Sequence, residues 1–207
     1  MTLNDADFRD AAHRAGMSYY PWEPLPAELS EIAGDALTDR GVTRINRDLP
    51  ARQAVLTYLH EACHLIAHRY RLDNDAEGWT PHTPHFAALV AVCYKRIDRL
   101  HMLKLYDFGD AADVMNGKPI NQIATGPSPG AMARRLNYVL RACEHYAGTD
   151  MTIEQIAASI AENRRAIASA RETTQRRKAR RENWIAGTVG VVLSLGVVVG
   201  AHALRLI

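Results

Sequence analysis

His60-Glu61-Ala62-Cys63-His64 reads H-E-x-x-H. On a helix, positions i and i+4 share one face, one turn apart, so both imidazoles can reach a single metal ion. Glu61, beside the first histidine, can lean over a water on that ion and take its proton. The same five letters also arise as two surface histidines on a solvated helix, and the surroundings decide between the two. Residues 52–70 hold neither Gly nor Pro, and Pro50 suits a first helical turn. Val55, Leu56, Leu59, Ala62, Cys63, Ile66 and Ala67 recur at three- and four-residue spacing. A mostly buried helix is expected, and buried His and Glu are costly unless paired or metal-bound.

The composition is compatible with such a core. A chain of 207 residues suits one domain plus an appendage, and 47% apolar residues fill it. The net charge of +2 does not mark the whole chain as a binder of polyanions. Cys63, Cys93 and Cys143 are odd in number and widely spaced, which points to a reducing compartment without a disulfide framework. Cys63 points off the histidine face and is expected to pack in the core. The first ten residues are polar and acidic, so no signal peptide is expected.

Upstream of the motif, residues 4–15 read as a short helix with Phe8, Ala11 and Ala12 on one side. Tyr19-Tyr20-Pro21-Trp22-Glu23-Pro24-Leu25-Pro26 is a proline-punctuated aromatic loop, expected to pack on the domain. Residues 27–37 read as a second helix. Val42-Thr43-Arg44-Ile45-Asn46, after Gly41, reads as a strand ending at Asp48-Leu49-Pro50. Running just before the motif helix, it is a candidate edge for an extended peptide.

Zinc hydrolases use three protein ligands and keep one open position. Downstream of the motif, residues 71–78 are polar and loop-like. His82-Thr83-Pro84-His85-Phe86 follows, with Thr83-Pro84 as a good N-cap and first-turn pair. A helix is expected from Pro84 to Leu103, with Phe86, Leu89, Val90, Val92, Cys93 and Ile97 as its apolar face. His82 sits just before it and His85 in its first turn, and either could complete the site. His68 lies two turns beyond His60, too far along the helix to share its metal.

These residues resemble the SprT-like zinc metallopeptidases, in which H-E-x-x-H is followed by H-G-x-x-F or H-x-P-x-F. Here His82-Thr83-Pro84-His85-Phe86 stands in that place, and Asp75-Ala76-Glu77-Gly78 is similar to the family's lead-in. The resemblance covers residues 42–95. It implies a zincin-like domain that hydrolyses peptide bonds in a protein or peptide substrate. It also implies Zn²⁺ on His60, His64 and His82, with Glu61 as the catalytic base and His85 as the alternative third ligand. Thr83 departs from the usual Gly. Residues 42–68 are also similar to ImmA/IrrE-type metallopeptidases, which take a downstream Glu as third ligand before a Phe-Ala pair. Phe86-Ala87 is present, but Thr80 stands where that Glu belongs, so the SprT-like reading is preferred.

Beyond Leu105 the periodicity breaks. Asn116-Gly117-Lys118-Pro119 and Gly126-Pro127-Ser128-Pro129-Gly130 are turn-rich, which suits a linker over 111–130. Residues 131–147 are helical in pattern. Residues 152–170 read either as a helix-turn-helix with Arg164 and Arg165 opening the second helix, or as one continuous amphipathic helix. Arg176-Arg177-Lys178-Ala179-Arg180-Arg181 is basic, Trp184 follows, and 185–201 carry no charge. Extended to Leu204, this is long enough to cross a bilayer core of about 30 Å. Flanking basic residues and Trp184 fit a tail-anchored, single-pass orientation with the catalytic domain in the cytoplasm. Gly196 and Gly200 form a G-x-x-x-G that admits a homodimer.

The expected fold is mainly α (α+β): a zincin-like metallopeptidase domain with a small sheet over 1–110, a linker over 111–130, a helical basic region over 131–183, and a transmembrane helix over 184–205. The competing class is a membrane-attached DNA-associated or regulatory protein whose metal site is structural or degenerate. A retained Glu61 argues against it, since a structural site needs no base.

Overall fold

The computed structural model of this chain describes residues 4–73, 82–100, 104–105, 109–110 and 129–203, with the backbone alone for 104–105, 109–110, 129–133, 135, 181 and 183–203. The expected motif helix runs Ala51–Arg69 (α2), and eleven of its 19 residues are buried. A helix buried over most of its girth needs neighbours on several sides. One is α1 (Asp5–Ala15), whose Phe8 ring stacks on Tyr58 at 4.7 Å. α1 begins at an Asn4–Asp7 capping box and stops at Gly16, which is left-handed with φ 71°. The second neighbour is α3 (Pro84–Arg96), buried without a break from Phe86 to Tyr94. That continuity follows from its position, with α2 and α1 on some sides and α4 (Pro129–Ala147) on another.

The third neighbour is a three-stranded sheet in the order β1 (Trp22–Pro24), β3 (Val42–Ile45), β2 (Gly34–Leu37). β3 runs parallel to β1, with Trp22 opposite Thr43, and antiparallel to β2, with Gly34 opposite Ile45. The expected strand is therefore present, but as the paired centre of the sheet, and it is not the free edge. The edges are β1 and β2, and β2 lies where a second helix was expected. Residues 27–37 instead form a single 3-10 turn, Ala27–Leu29, and then β2. Gly34 in the middle disfavours a helix, while the Asn46 amide donates to the Ser30 and Ile32 carbonyls and draws the segment alongside β3. The aromatic loop packs as expected, with Trp22 edge-on to Phe8 at 4.9 Å. A short ladder of β4 (Lys104–Leu105) with β5 (Gly109–Asp110) completes the strands of the described residues.

α3 ends at Arg96 rather than at Leu103. Asp98 turns left-handed (φ 57°), and the Arg99 N–H reaches back to the Tyr94 carbonyl at 2.7 Å. This is the hydrogen-bond pattern of a helix stop that usually carries Gly. α2 stops the same way, with Arg71 at φ 58° and the Leu72 N–H on the Ala67 carbonyl at 2.7 Å. Neither stop has a glycine, so the sequence does not mark them.

α5 runs Ile153–Ala203 without interruption. Residues 152–170 thus belong to one helix, and the helix-turn-helix reading is corrected; no Gly or Pro between 151 and 186 offers a turn. The chain divides into two compact units, Met1–Ala161 and Glu162–Ile207. Ile153, Ile156, Ala157, Ile160 and Ala161 are buried at helical spacing. α4 and the start of α5 therefore belong to the first unit. Within the second unit, i,i+4 ion pairs such as Arg176 with Glu172 (2.6 Å) stud an exposed helix. Among the described residues no helix is long and apolar enough to cross a membrane. The side chains of the expected span, and the linker over 111–128, lie outside the described residues.

Candidate metal centre

His60 and His64 stand one turn apart on α2, and His82 immediately precedes the Thr83 cap of α3. The ring centroids lie 4.9 Å apart for His60 and His64, 4.9 Å for His64 and His82, and 5.5 Å for His60 and His82. One nitrogen from each ring lies within 4.8 Å of the other two. A tetrahedral zinc about 2.0–2.1 Å from each nitrogen holds them roughly 3.3 Å apart, so modest ring adjustments suffice. Phe86 is the wall behind all three. It stacks flat on His64 (4.0 Å, 12°) and stands edge-on to His60 (5.0 Å) and His82 (5.3 Å).

Burial favours the neutral form of the two motif histidines. Burial pushes His60 down to about 3 and His64 down to about 2, with the neighbouring imidazoles adding to the shift. Neutral imidazole is the metal-binding form. Among the described residues three nitrogen donors and no fourth ligand converge, the donor number of catalytic zinc sites.

Glu61 is 8% exposed and has no hydrogen-bond or ion-pair partner among the described residues. Burial, with a smaller contribution from the Asp35 carboxylate, pushes its carboxyl up to about 8. Asp35 is itself ion-paired with Arg44 across the β2–β3 ladder. A cation on the three imidazoles would favour the anion of Glu61 again.

The three histidines and Glu61 open into a cleft of ≈ 960 Å³, with α2 on one side and β2 on the other. The Thr43 N–H donates to the Pro21 carbonyl and the Ile45 carbonyl accepts from Leu25, so these two residues face β1. The Asn46 N–H donates to Ala33 on the opposite side. By the alternation of an antiparallel ladder, Gly34 and Ala36 point their N–H and C=O groups away from β3. Among the described residues no strand pairs with that edge.

The remaining candidates lie elsewhere. His85 shares a 2.8 Å hydrogen bond with the Tyr138 hydroxyl of α4, so the structure brings His82 and not His85 to the motif histidines. His68 pairs with Asp73 at 2.8 Å and stays outside the cluster, as expected. Cys63 is fully buried with its Sγ 3.6 Å from that of Cys93. Thr80 and Glu77 lie outside the described residues. Gly34 and Asp35 were hidden from sequence reasoning inside a presumed helix, and Gly34 was their one local signal. No family model, no curated protein and no solved structure matches this chain.

Proposed function

We propose that this chain is a zinc-dependent metallopeptidase of the SprT-like kind. The observation that carries the reading is the convergence of His60, His64 and His82 beside a buried, unpartnered Glu61 at the floor of one cleft. His60, His64 and His82 would hold Zn²⁺, which when bound supplies an electrophile for the scissile carbonyl and an acidified water. Glu61 accepts the proton of that water and returns it to the departing amine nitrogen. The open edge of β2 offers Gly34 and Ala36, two residues apart, to the backbone of an extended substrate, so an unfolded polypeptide segment is the fitting ligand. The buried pocket around Glu61 raises its basicity, and a cation on the histidines would offset that shift and keep the carboxylate ionised.

Anchorage to a membrane through residues 185–204, with residues 1–183 on the cytoplasmic side, belongs to the same proposal. It rests on the uncharged run after the basic segment 176–181, and pairing through Gly196 and Gly200 would follow within the bilayer. The competing DNA-associated reading loses its helix-turn-helix to the continuous α5.

The experiment combines metal analysis with digestion of an unfolded protein. One zinc per chain is expected, with cleavage abolished by a chelator and restored by zinc. Glu61→Gln should retain zinc and lose cleavage by about 10²–10⁴-fold, whereas His82→Ala should lose zinc itself. Undiminished cleavage in Glu61→Gln overturns the mechanism.

A further inference from the structure

Thr83 stands where the family it resembles usually has Gly, and the structure gives the hydroxyl two partners. It accepts the Phe86 N–H at 3.1 Å, capping α3. It also donates to the carbonyl of Leu72, whose own N–H closes the stop of α2 on the Ala67 carbonyl. Thr83 and Leu72 are both fully buried. A single hydroxyl thereby joins the end of one site helix to the start of the other, across the ten residues 73–82 between them.

We infer that Thr83 is a positioning residue for the metal centre, holding His82 and Phe86 in register with His60 and His64. This rests on the metallopeptidase reading of the site. His60 and His64 are fixed by α2, whereas His82 belongs to neither helix, and ordering it only at metal uptake would cost conformational entropy. The bond from Thr83 to Leu72 anchors the chain immediately next to His82. The bond to Phe86 fixes the first turn of α3, whose aromatic ring lies flat on His64. The ordering cost is thus met during folding and not at metal uptake, which is what preorganisation of a site means. A glycine at 83 has no hydroxyl to make either bond.

The test measures zinc affinity of the full-length chain by competition with a chromophoric chelator, together with the visible spectrum of the cobalt form. Thr83→Val keeps the shape and removes both hydrogen bonds. It should weaken zinc about 10–100-fold, in the range seen when supporting partners of metal ligands are removed, and alter the cobalt spectrum. Thr83→Ser should stay within about threefold of the parent. The control is Thr152→Val: Thr152 caps α5 in a reciprocal pair with Gln155, in the same compact unit but far along the chain. It should lower the unfolding temperature and leave zinc affinity unchanged. Thr83→Ala replaces Thr83→Val in the comparison if the valine variant does not fold.

The inference is overturned if the hydroxyl-free variants bind zinc as the parent does. It is equally overturned if Thr83→Ser weakens zinc as much as Thr83→Val, or if Thr152→Val weakens zinc to the same degree. A parent chain that takes up no zinc overturns the metallopeptidase reading and this inference together. A parent that binds zinc and cleaves, with an indifferent Thr83, overturns this inference alone.

Discussion

Gly34 lies in direct contact with the α2 helix at Glu61. A β-carbon at Gly34 would stand 3.1 Å from Glu61 Cγ, 2.9 Å from the Arg44 carbonyl oxygen and 2.5 Å from Thr57 Cγ2. The edge strand and the proposed base are therefore packed as closely as a glycine allows. Gly34→Ala should push β2 away from α2 at an overpacking cost of about 1–3 kcal/mol. The expected outcome is a normal zinc content with peptide cleavage reduced at least tenfold, read by metal analysis and a cleavage assay. Full activity in this variant would show that the cleft does not depend on that approach.

The pH dependence of the metal-free chain follows from two opposed shifts. Glu61 is held at about 8, above its ordinary 4.5, so its contribution to stability is complete below pH 4.5 and is lost as pH rises through 8. Metal-free Glu61→Gln should therefore match the parent near pH 4.5 and exceed it in unfolding temperature above pH 8. The histidines act in the other sense. His60 and His64 sit at about 3 and about 2, below 6.5, so their contribution is complete above pH 6.5 and lost as pH falls toward 3. His60→Gln should accordingly blunt the acid limb and leave the alkaline limb intact. Thermal unfolding in chelator across pH 4–9 checks both, and a Glu61→Gln advantage independent of pH would contradict the first.

Arg96 holds the first unit together from the end of α3. Its guanidinium donates to the carbonyls of Ala15, Tyr146, Ala147, Thr149 and Met151. These lie at the ends of α1 and α4 and in the turn before α5, where helix carbonyls are otherwise left over. A β-carbon at Gly16 would stand 2.5 Å from Arg96 Nη1, so the fork also fills the space beside that stop. Arg96→Ala should cost about 3 kcal/mol by removing a charged donor from part-buried carbonyls at three chain segments. Arg96→Lys should recover only part of this, because an ammonium lacks the planar fork. Denaturant unfolding measures both, and equal stability of the lysine variant and the parent would contradict the multidentate role.

The membrane proposal separates insertion from electrostatic attachment. Each Lys or Arg near an anionic leaflet contributes about 1 kcal/mol, which salt screens. The full chain should remain with membranes through high-salt and carbonate washes. A chain ending at Asn183 should be soluble and still bind zinc, because His60, His64 and His82 all lie upstream. Release of the full chain by salt alone would leave only the basic run as the attachment.

The local parts of this protein were legible in its residues. The spacing of His60 and His64 sets them on one helical face, the absence of Gly and Pro over 52–70 sustains that helix, and Thr83-Pro84 starts the next one; each is a matter of backbone propensity over a few residues. The convergence of His82 with the motif, and the removal of His85 to Tyr138, required the tertiary structure. His82 precedes the Thr83 cap of α3 and His85 lies in its first turn, and only the packing of α3 on α2 decides which one joins the motif histidines. The stop of α3 at Asp98 is not legible in the sequence because a residue other than Gly occupies the left-handed position. β2 was read as helix because its pairing partner, β3, and the surface that requires Gly34 are both remote in sequence. A strand acquires its hydrogen bonds from another segment, whereas a helix finds them within itself. The sequence therefore determined the two motif histidines and their helix, and the tertiary structure alone decided which third histidine joins them and which edge lines the cleft.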